Sequence, residues 1–250
     1  RFRPTVVVGT GGFASGPLLF VASWFKIPSL IQEQNAYPGI TNKQLASRVR
    51  AICLGSASAL SFFPKNKSVV TGNPIRTALK KPISKKTAAQ QLGVSATRPT
   101  LLVLGGSLGA RKINKLIHHH LDAIQKHNIQ LLWQCGNLYA DEYRPLASKH
   151  VHIMPFIDHM PAAYAVADIV VSRAGALAIS ELCLLGKPTL FIPSPNVAEN
   201  HQEKNAQALA DKAFEQNLDI PAVNHGPEGF AQLANKVCCN SDKHKSSCGI

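Results

Sequence analysis

Two glycine-rich turns are the first segments of the sequence whose residue types could do chemistry. One runs from Gly9 to Pro17 and the other from Gly105 to Ala110, and each lies between a short apolar run and a helical pattern. Glycines at the end of a parallel strand let backbone N–H groups approach a phosphate, and the positive end of the next helix adds attraction. Neither turn is a Walker loop or a complete GxGxxG fingerprint, so a turn without a ligand stays open for each.

Two charged residues could bind the ribose and a phosphate of a nucleotide. Glu181 lies in the second turn of a helix predicted after Gly175, near the carboxyl end of a strand, where ligands of open α/β sheets usually bind. A carboxylate there can accept hydrogen bonds from both hydroxyls of a ribose. Arg76, which follows Gly72-Asn73-Pro74, could neutralise a phosphate. A solvent-exposed position without function stays open for both residues.

The sequence offers little to a metal ion. It contains no Asp-x-Asp pair, and the consecutive His118, His119 and His120 would point in three directions on a helix. The six cysteines show neither CxxC pairing nor the His spacing of a zinc site, and we interpret them as reduced cytosolic thiols. We therefore expect no metal and no required cofactor.

The elements that must position these residues alternate along the chain. Short runs rich in Val, Ile and Leu are each followed by a turn and a helical pattern, which is typical of parallel βαβ units and predicts an α/β fold. In the best-defined helix Ile113, Leu116, Ile117, Leu121 and Ile124 share one face. We expect strands at residues 5–9, 29–33, 68–71, 100–105, 129–134, 151–154, 168–172 and 188–192.

Charge divides the chain. Residues 1–99 hold 14 Lys and Arg and a single acid, Glu33, whereas residues 100–250 hold 13 of each sign. A basic first part predicts an anionic partner: a nucleic acid, a phosphorylated ligand or an acidic membrane. The longest apolar stretch, residues 16–25, is too short to span a bilayer.

We predict a first domain at 1–76, a polar linker at 77–99, a second domain at 100–240 and a frayed tail at 241–250.

With these motifs in this order, the chain resembles the MurG family of glycosyltransferases, whose GT-B fold has two Rossmann-like domains with parallel sheets facing across a cleft. The resemblance extends from about residue 5 to about residue 240. Seven blocks carry it: Gly11-Gly12-Phe13 with Ser15-Gly16-Pro17, Gln32-Glu33-Gln34-Asn35 with Thr41-Asn42-Lys43, Gly72-Asn73-Pro74-Ile75-Arg76, Gly105-Gly106-Ser107-Leu108-Gly109-Ala110, Phe156-Ile157-Asp158, Arg173-Ala174-Gly175-Ala176-Leu177 with Ser180-Glu181, and Asn200-His201-Gln202-Glu203-Lys204-Asn205-Ala206.

The resemblance implies that the second domain binds UDP-N-acetylglucosamine. It places Ile157 against the uracil, Glu181 on the ribose, and Ser107 and Arg76 on phosphate. The sugar and diphosphate would be contacted by further residues, with the first of them entering from the other domain: Asn35, Ala176, Leu177, Ala178, Ile179, Ser180 and Gln202. The chain departs from the family pattern at three positions, namely Gln32, Ala178 and His201.

The implied reaction is an inverting transfer, in which the C4 hydroxyl of undecaprenyl-diphosphate-linked N-acetylmuramyl pentapeptide displaces UDP from N-acetylglucosamine during peptidoglycan synthesis. The chain opens on Arg-Phe-Arg-Pro and runs directly into a predicted strand, so we expect its beginning to be missing. The family's other glycine-rich loop would lie there. We therefore assign no catalytic base.

The basic first half suits an anionic bilayer surface. Trp24-Phe25-Lys26 ends a predicted helix, and Lys43, Arg48 and Arg50 follow on the next. We expect a peripheral protein at the cytoplasmic face of the bacterial plasma membrane; core-facing aromatic side chains are the alternative.

Two other functions stay open, a soluble UDP-N-acetylglucosamine 2-epimerase of the same fold and a basic nucleic-acid-binding protein. The aromatic residues form no RNP-like pattern, which disfavours nucleic acid.

Overall fold

A computed structural model describes residues 3–195 and 198–215 of the chain. The strands in this part are β1 (Val7–Gly9), β2 (Ser29–Glu33), β3 (Ala51–Leu54), β4 (Ser68–Val70), β5 (Thr100–Leu104), β6 (Gln130–Gln134), β7 (Val151–Met154), β8 (Ile169–Ser172) and β9 (Thr189–Phe191). The α-helices are α1 (Ser15–Trp24), α2 (Ile40–Leu45), α3 (Lys85–Leu92), α4 (Arg111–His119), α5 (Leu121–Lys126), α6 (Ala140–Tyr143), α7 (Met160–Val166), α8 (Ala176–Leu184) and α9 (His201–Glu215).

These elements form two compact units. Among the described residues, the first unit holds 3–75, 174–180, 193–195 and 198–212, and the second holds 76–173, 181–192 and 213–215. The division falls inside α8, so the residues from Ala176 to Ser180 group with the first unit and Glu181 groups with the second.

The first unit is built on a parallel sheet in the order β1-β2-β3-β4. Burial alternates along β2 and β3, and Ile31, Ile52 and Leu54 have no exposed surface. Helices α1 and α2 add Leu19 and Leu45 to this core. Since all four strands run the same way, the loops after β1 and β2 emerge at one edge of the sheet.

The second unit holds a parallel sheet in the order β7-β6-β5-β8-β9. Every residue of β5, β6, β8 and β9 is buried, which is typical of parallel strands covered on both faces. The first of these strands along the chain, β5, is central, with β6 on one side and β8 on the other. The strand order therefore reverses between β5 and β8, where open α/β sheets form their ligand crevice.

A buried polar pair anchors α4 to the end of β6. The Trp133 indole N–H donates to Asn114 Oδ1 at 3.0 Å, and Asn114 Nδ2 donates to the Cys135 carbonyl at 2.8 Å. Both Trp133 and Asn114 are fully buried, so these bonds satisfy groups that would otherwise be costly to desolvate. Tyr143 packs on Trp133 with ring centroids 4.7 Å apart.

The predicted strands correspond to eight of the strands described, and the α/β class is confirmed. The strand β3 was not predicted, because Ala51–Leu54 has only four residues and directly follows the basic residues Arg48 and Arg50. The helix predicted after β5 is two helices, α4 and α5, because the backbone leaves helical geometry at His120.

Residues 77–99, predicted as a linker, contain helix α3. The Ser84 hydroxyl caps its start by accepting from the Thr87 N–H at 3.1 Å, and Gly93 ends it in the left-handed region. Ala88 and Ala89 are buried, and α3 packs along α7. The segment therefore belongs to the second unit, although its lysine-rich composition is typical of a linker.

Candidate functional site

The two central loops of the second sheet emerge side by side. Leu104 and Ser172, the last residues of β5 and β8, are paired in register. The glycine-rich turn from Gly105 to Ala110 therefore begins beside Arg173, which leads to α8. The positions predicted for phosphate and ribose binding, Ser107 and Glu181, both follow strands at this switch point.

Close packing shapes the glycine-rich turn. Gly106 and Gly109 have φ values of 79° and 86°, in the region that favours glycine. A side chain on Gly109 would collide with the Cys135 carbonyl and the Tyr139 ring. The Ser107 carbonyl accepts from the Asn137 N–H at 3.1 Å, while Ser107 itself is exposed. The Ser107 side chain is therefore exposed to solvent, while its backbone is held by the hydrogen bond from Asn137.

Glu181 is a buried carboxylate with two neighbours in its own unit. Only 8% of the residue is exposed. The Tyr164 hydroxyl donates to Oε2 at 3.0 Å, and Arg76 Nε lies 3.6 Å from Oε1. The structure thus brings together Glu181 and Arg76, which sequence analysis assigned to ribose and phosphate. An ionised carboxylate has about four lone-pair positions, so one hydrogen bond and one longer ion pair leave acceptor capacity.

Tyr164 was missed by sequence analysis. It is the fifth of the seven residues of the apolar helix α7, and only 2% of it is exposed. Burial, reinforced by the negative charge of Glu181, raises the pKa of its hydroxyl above the usual value, so it stays a donor. A buried tyrosine hydroxyl needs a partner, but the partner lies 17 residues away and the sequence carries no signal for it.

Ile157 lies in the loop between β7 and α7. Its side chain is buried, whereas the preceding Phe156 is exposed. The predicted packing of Ile157 against a base would therefore have to come from its backbone.

The other predicted residues of α8 belong to the first unit. Leu177 is exposed, and Ala176, Ala178, Ile179 and Ser180 are half-buried. The Ser180 hydroxyl donates to the Ala176 carbonyl at 2.9 Å and accepts from Asn73 Nδ2 at 3.0 Å. Asn73 Nδ2 also donates to the Gln34 carbonyl at 3.0 Å, which ties the start of α8 to the loop after β2.

A buried carboxylate organises that loop. Glu33 accepts four hydrogen bonds: Oε1 from the backbone N–H and Nδ2 of Asn35, and Oε2 from the Gly39 N–H and Asn42 Nδ2, at 2.7–3.2 Å. Asn35 in turn accepts at Oδ1 from Asn205 Nδ2 at 3.0 Å. The predicted sugar contact Asn35 is therefore engaged on both sides of its amide.

Gln202 lies in the first turn of α9. Its Oε1 accepts from the Ser194 N–H at 2.9 Å, so this helix start is joined to the loop after β9. Asn205, one turn along the helix, also accepts from the Ala36 N–H at 2.8 Å. All these partners lie in the first unit.

In residues 3–195 and 198–215 no group of three or more His, Cys, Asp and Glu side chains could hold a metal ion. No helix in those residues combines the length and the apolar composition that crossing a bilayer requires.

Family models match both parts of the chain. The glycosyltransferase family 28 C-terminal domain matches residues 100–243, and the glycosyltransferase family 28 N-terminal domain matches residues 1–54. The first of these matches alone covers more than half of the chain.

The curated relatives that the chain matches include two proteins named UDP-N-acetylglucosamine–N-acetylmuramyl-(pentapeptide) pyrophosphoryl-undecaprenol N-acetylglucosamine transferase. The protein of Flavobacterium psychrophilum is 52% identical over 214 residues, which are 85% of this chain and 58% of that protein. The protein of Parabacteroides distasonis is 44% identical, over 98% of this chain and 71% of that protein. The chain thus spans little more than half the length of the first relative.

The chain is also similar in structure to solved proteins. The crystal structure of Acinetobacter baumannii MurG has a TM-score of 0.63 and 30% identity, covering 93% of this chain and 64% of that one. The UDP-GlcNAc 2-epimerase of Neisseria meningitidis has a TM-score of 0.54 at 16% identity, covering 93% of this chain and 76% of that one. This second likeness shows the shared fold alone and does not favour the epimerase alternative. The fold is α/β of the GT-B class, and the chain belongs to the MurG family within glycosyltransferase family 28.

Proposed function

We propose that the protein transfers N-acetylglucosamine from UDP-N-acetylglucosamine to the C4 hydroxyl of undecaprenyl-diphosphate-linked N-acetylmuramyl pentapeptide, with inversion at the anomeric carbon. The observation that carries the proposal is the Glu181 carboxylate at the switch point of the second sheet. It is buried, keeps acceptor capacity and has Arg76 beside it. The names of the curated relatives supply the substrates, and the chain's own residues supply the chemistry.

The second unit binds the UDP part of the donor. Glu181 accepts from the ribose hydroxyls, and the backbone of Ile157 faces the uracil. Arg76, whose side chain is half exposed, and the outward Ser107 contact the diphosphate. The N–H groups of the glycine-rich turn and the start of α4 add positive potential there.

This arrangement supports the departure of UDP. As the bond to the anomeric carbon breaks, negative charge grows on the diphosphate. Arg76 and the oriented backbone N–H groups are placed to stabilise that charge, which is the kind of electrostatic assistance that lowers a transition state most. No required metal or other cofactor is part of the proposal.

We assign the contacts to the sugar to the start of α8, residues 176–180, and to the side-chain amides of Gln202 and Asn35. Because Gln202 Oε1 and Asn35 Oδ1 already accept hydrogen bonds, and Asn35 Nδ2 already donates to Glu33, we assign to sugar hydroxyls the NH₂ group of Gln202 and the second N–H of Asn35. The catalytic base is left unassigned.

A calorimetric titration with UDP, UDP-N-acetylglucosamine and UDP-glucose tests the donor assignment. We expect saturable binding of UDP and tighter binding of UDP-N-acetylglucosamine than of UDP-glucose. Transfer of radiolabelled N-acetylglucosamine to a lipid-linked muramyl acceptor tests the reaction. Equal affinity for the two sugar nucleotides would contradict the proposed donor, and absence of UDP binding would contradict the site.

The first unit also carries the proposed membrane surface. Trp24 and Phe25, at the end of α1, are 74% and 73% exposed, so the core-facing alternative does not describe them. Arg48 lies over the Phe20 ring at 4.7 Å, and Lys26 adds a second cation at the helix end. Exposed aromatic rings beside cations suit the interface of an anionic bilayer. We place the protein peripherally at the cytoplasmic face of the plasma membrane.

Vesicle co-sedimentation tests this surface. Each cation near an anionic bilayer contributes about 1 kcal/mol, so Lys26→Glu, which reverses the charge, should weaken binding to phosphatidylglycerol vesicles by more than about fivefold. Trp24→Ala should also weaken it, and added salt should act in the same direction. Lys126→Glu, in the second unit, is the matched control. Equal binding of the native chain to neutral and anionic vesicles would contradict the proposal.

A further inference from the structure

We infer that Tyr164 is a positioning residue for nucleotide binding: its hydroxyl holds the Glu181 carboxylate in the orientation that accepts the ribose hydroxyls. The inference rests on the proposed role of Glu181. Its direct observation is the 3.0 Å hydrogen bond from the Tyr164 hydroxyl to Glu181 Oε2, between two buried residues.

The Glu181 carboxylate needs such a fixed point. The terminal torsion of a glutamate side chain is broad, so burial of the stem alone does not set the plane of the two oxygens. Arg76 is a weak restraint, since its side chain is 53% exposed and its Nε lies 3.6 Å from Oε1. Tyr164 is only 2% exposed and donates at an ordinary hydrogen-bond distance.

The position of Tyr164 is itself well determined. It lies in the second half of α7, flanked by the buried residues Ala163 and Val166. Helix α3 packs along α7 and supports it. These contacts restrain the phenol ring, and burial raises the pKa of its hydroxyl, so the hydroxyl stays a donor.

The two oxygens of Glu181 then have different tasks. One lone pair of Oε2 is occupied by Tyr164, and Oε1 faces Arg76. The remaining lone pairs point along directions that the Tyr164 bond selects, and two neighbouring hydroxyls can use them only if the carboxylate does not rotate. Tyr164 contributes to affinity through Glu181, without touching the ligand.

The test compares UDP with 2′,3′-dideoxy-UDP, which lacks both hydroxyls that Glu181 would accept from. Tyr164→Phe removes one oxygen atom and leaves the ring in place. We expect it to weaken UDP binding about three- to tenfold and to leave 2′,3′-dideoxy-UDP binding within twofold. Isothermal calorimetry measures both affinities, and thermal unfolding checks that the variant is folded.

Tyr143→Phe is the matched control, because Tyr143 is equally buried in the second unit but packs on Trp133. It should leave both affinities unchanged. A purely structural role for Tyr164 would weaken UDP and the dideoxy analogue alike, and that result would overturn the inference. Unchanged UDP affinity in Tyr164→Phe would overturn it as well.

The double variant Tyr164→Phe/Glu181→Ala shows whether the tyrosine acts through the carboxylate. Once Glu181 is replaced, adding Tyr164→Phe should change UDP affinity less than twofold. A further three- to tenfold loss would mean that Tyr164 acts independently and would overturn the inference. If the native chain binds UDP and 2′,3′-dideoxy-UDP with equal affinity, the proposed role of Glu181 in ribose binding is wrong. This measurement needs no Tyr164 variant, so the two failures can be told apart.

Discussion

Two buried carboxylates, one in each unit, are used in opposite ways. Glu33 is 2% exposed and accepts four hydrogen bonds, all from residues 35–42, which form the loop after β2 and the start of α2. Glu181 is 8% exposed and has one close donor, Tyr164, and one more distant cation. Burial alone therefore does not identify a binding residue. The remaining acceptor capacity does, and it assigns Glu33 to folding and Glu181 to the ligand.

Glu33→Gln should have the largest effect of the variants that test this comparison. The new NH₂ group would face one of the donors that now point at the carboxylate, which leaves buried N–H groups without an acceptor. We expect the free energy of unfolding to fall by about 2–3 kcal/mol, measured by urea denaturation.

Glu181→Gln is the stability control for that experiment. Its amide oxygen can still accept from Tyr164, so we expect a change in unfolding free energy of less than about 1 kcal/mol. If both variants lose the same stability, the distinction between the two carboxylates is wrong.

For UDP affinity Glu181→Gln should be the damaging variant. Loss of a charge-assisted bond to the ribose costs about 1.5–3 kcal/mol, which corresponds to roughly 10–150-fold in the dissociation constant. Calorimetry under conditions where the variant is folded measures it. An affinity equal to that of the native chain would remove Glu181 from the site.

Arg76→Ala tests whether Arg76 binds the diphosphate while Glu181 binds the ribose. If Arg76 contacts the diphosphate, UDP should bind about tenfold more weakly while uridine binds as before. Arg98→Ala, another arginine of the second unit, held at 3.1 Å by Asn128 Oδ1, should change neither affinity. Equal loss for UDP and uridine would mean that Arg76 acts by orienting Glu181.

The sequence was sufficient for the features that follow a regular pattern. Strands β5 and β8 are continuous apolar runs, so the crevice beside Glu181 could be predicted from their order. The glycine-rich turn at Gly105 was visible for the same reason, since its glycines follow a strand directly.

Other features depend on partners that are distant along the chain. Helix α3 was hidden in a lysine-rich segment because Ala88 and Ala89, its buried contacts, are small residues that stand out in no pattern. Tyr164 was missed because its apolar helix accounts for a buried aromatic residue. Only the folded structure shows that its hydroxyl contacts Glu181. The engagement of Asn35 by Glu33 and Asn205 likewise needs three segments to be folded together.

Hydrogen–deuterium exchange of the native chain, with and without saturating UDP, tests the comparison most directly. We expect UDP to slow exchange in residues 105–110 and 176–185, around the glycine-rich turn and Glu181. We expect no change in residues 33–45, where the Glu33 carboxylate already accepts hydrogen bonds from the protein. Protection confined to residues 33–45, or none at all under conditions where UDP binds, would contradict the assignment of the second unit as the nucleotide site.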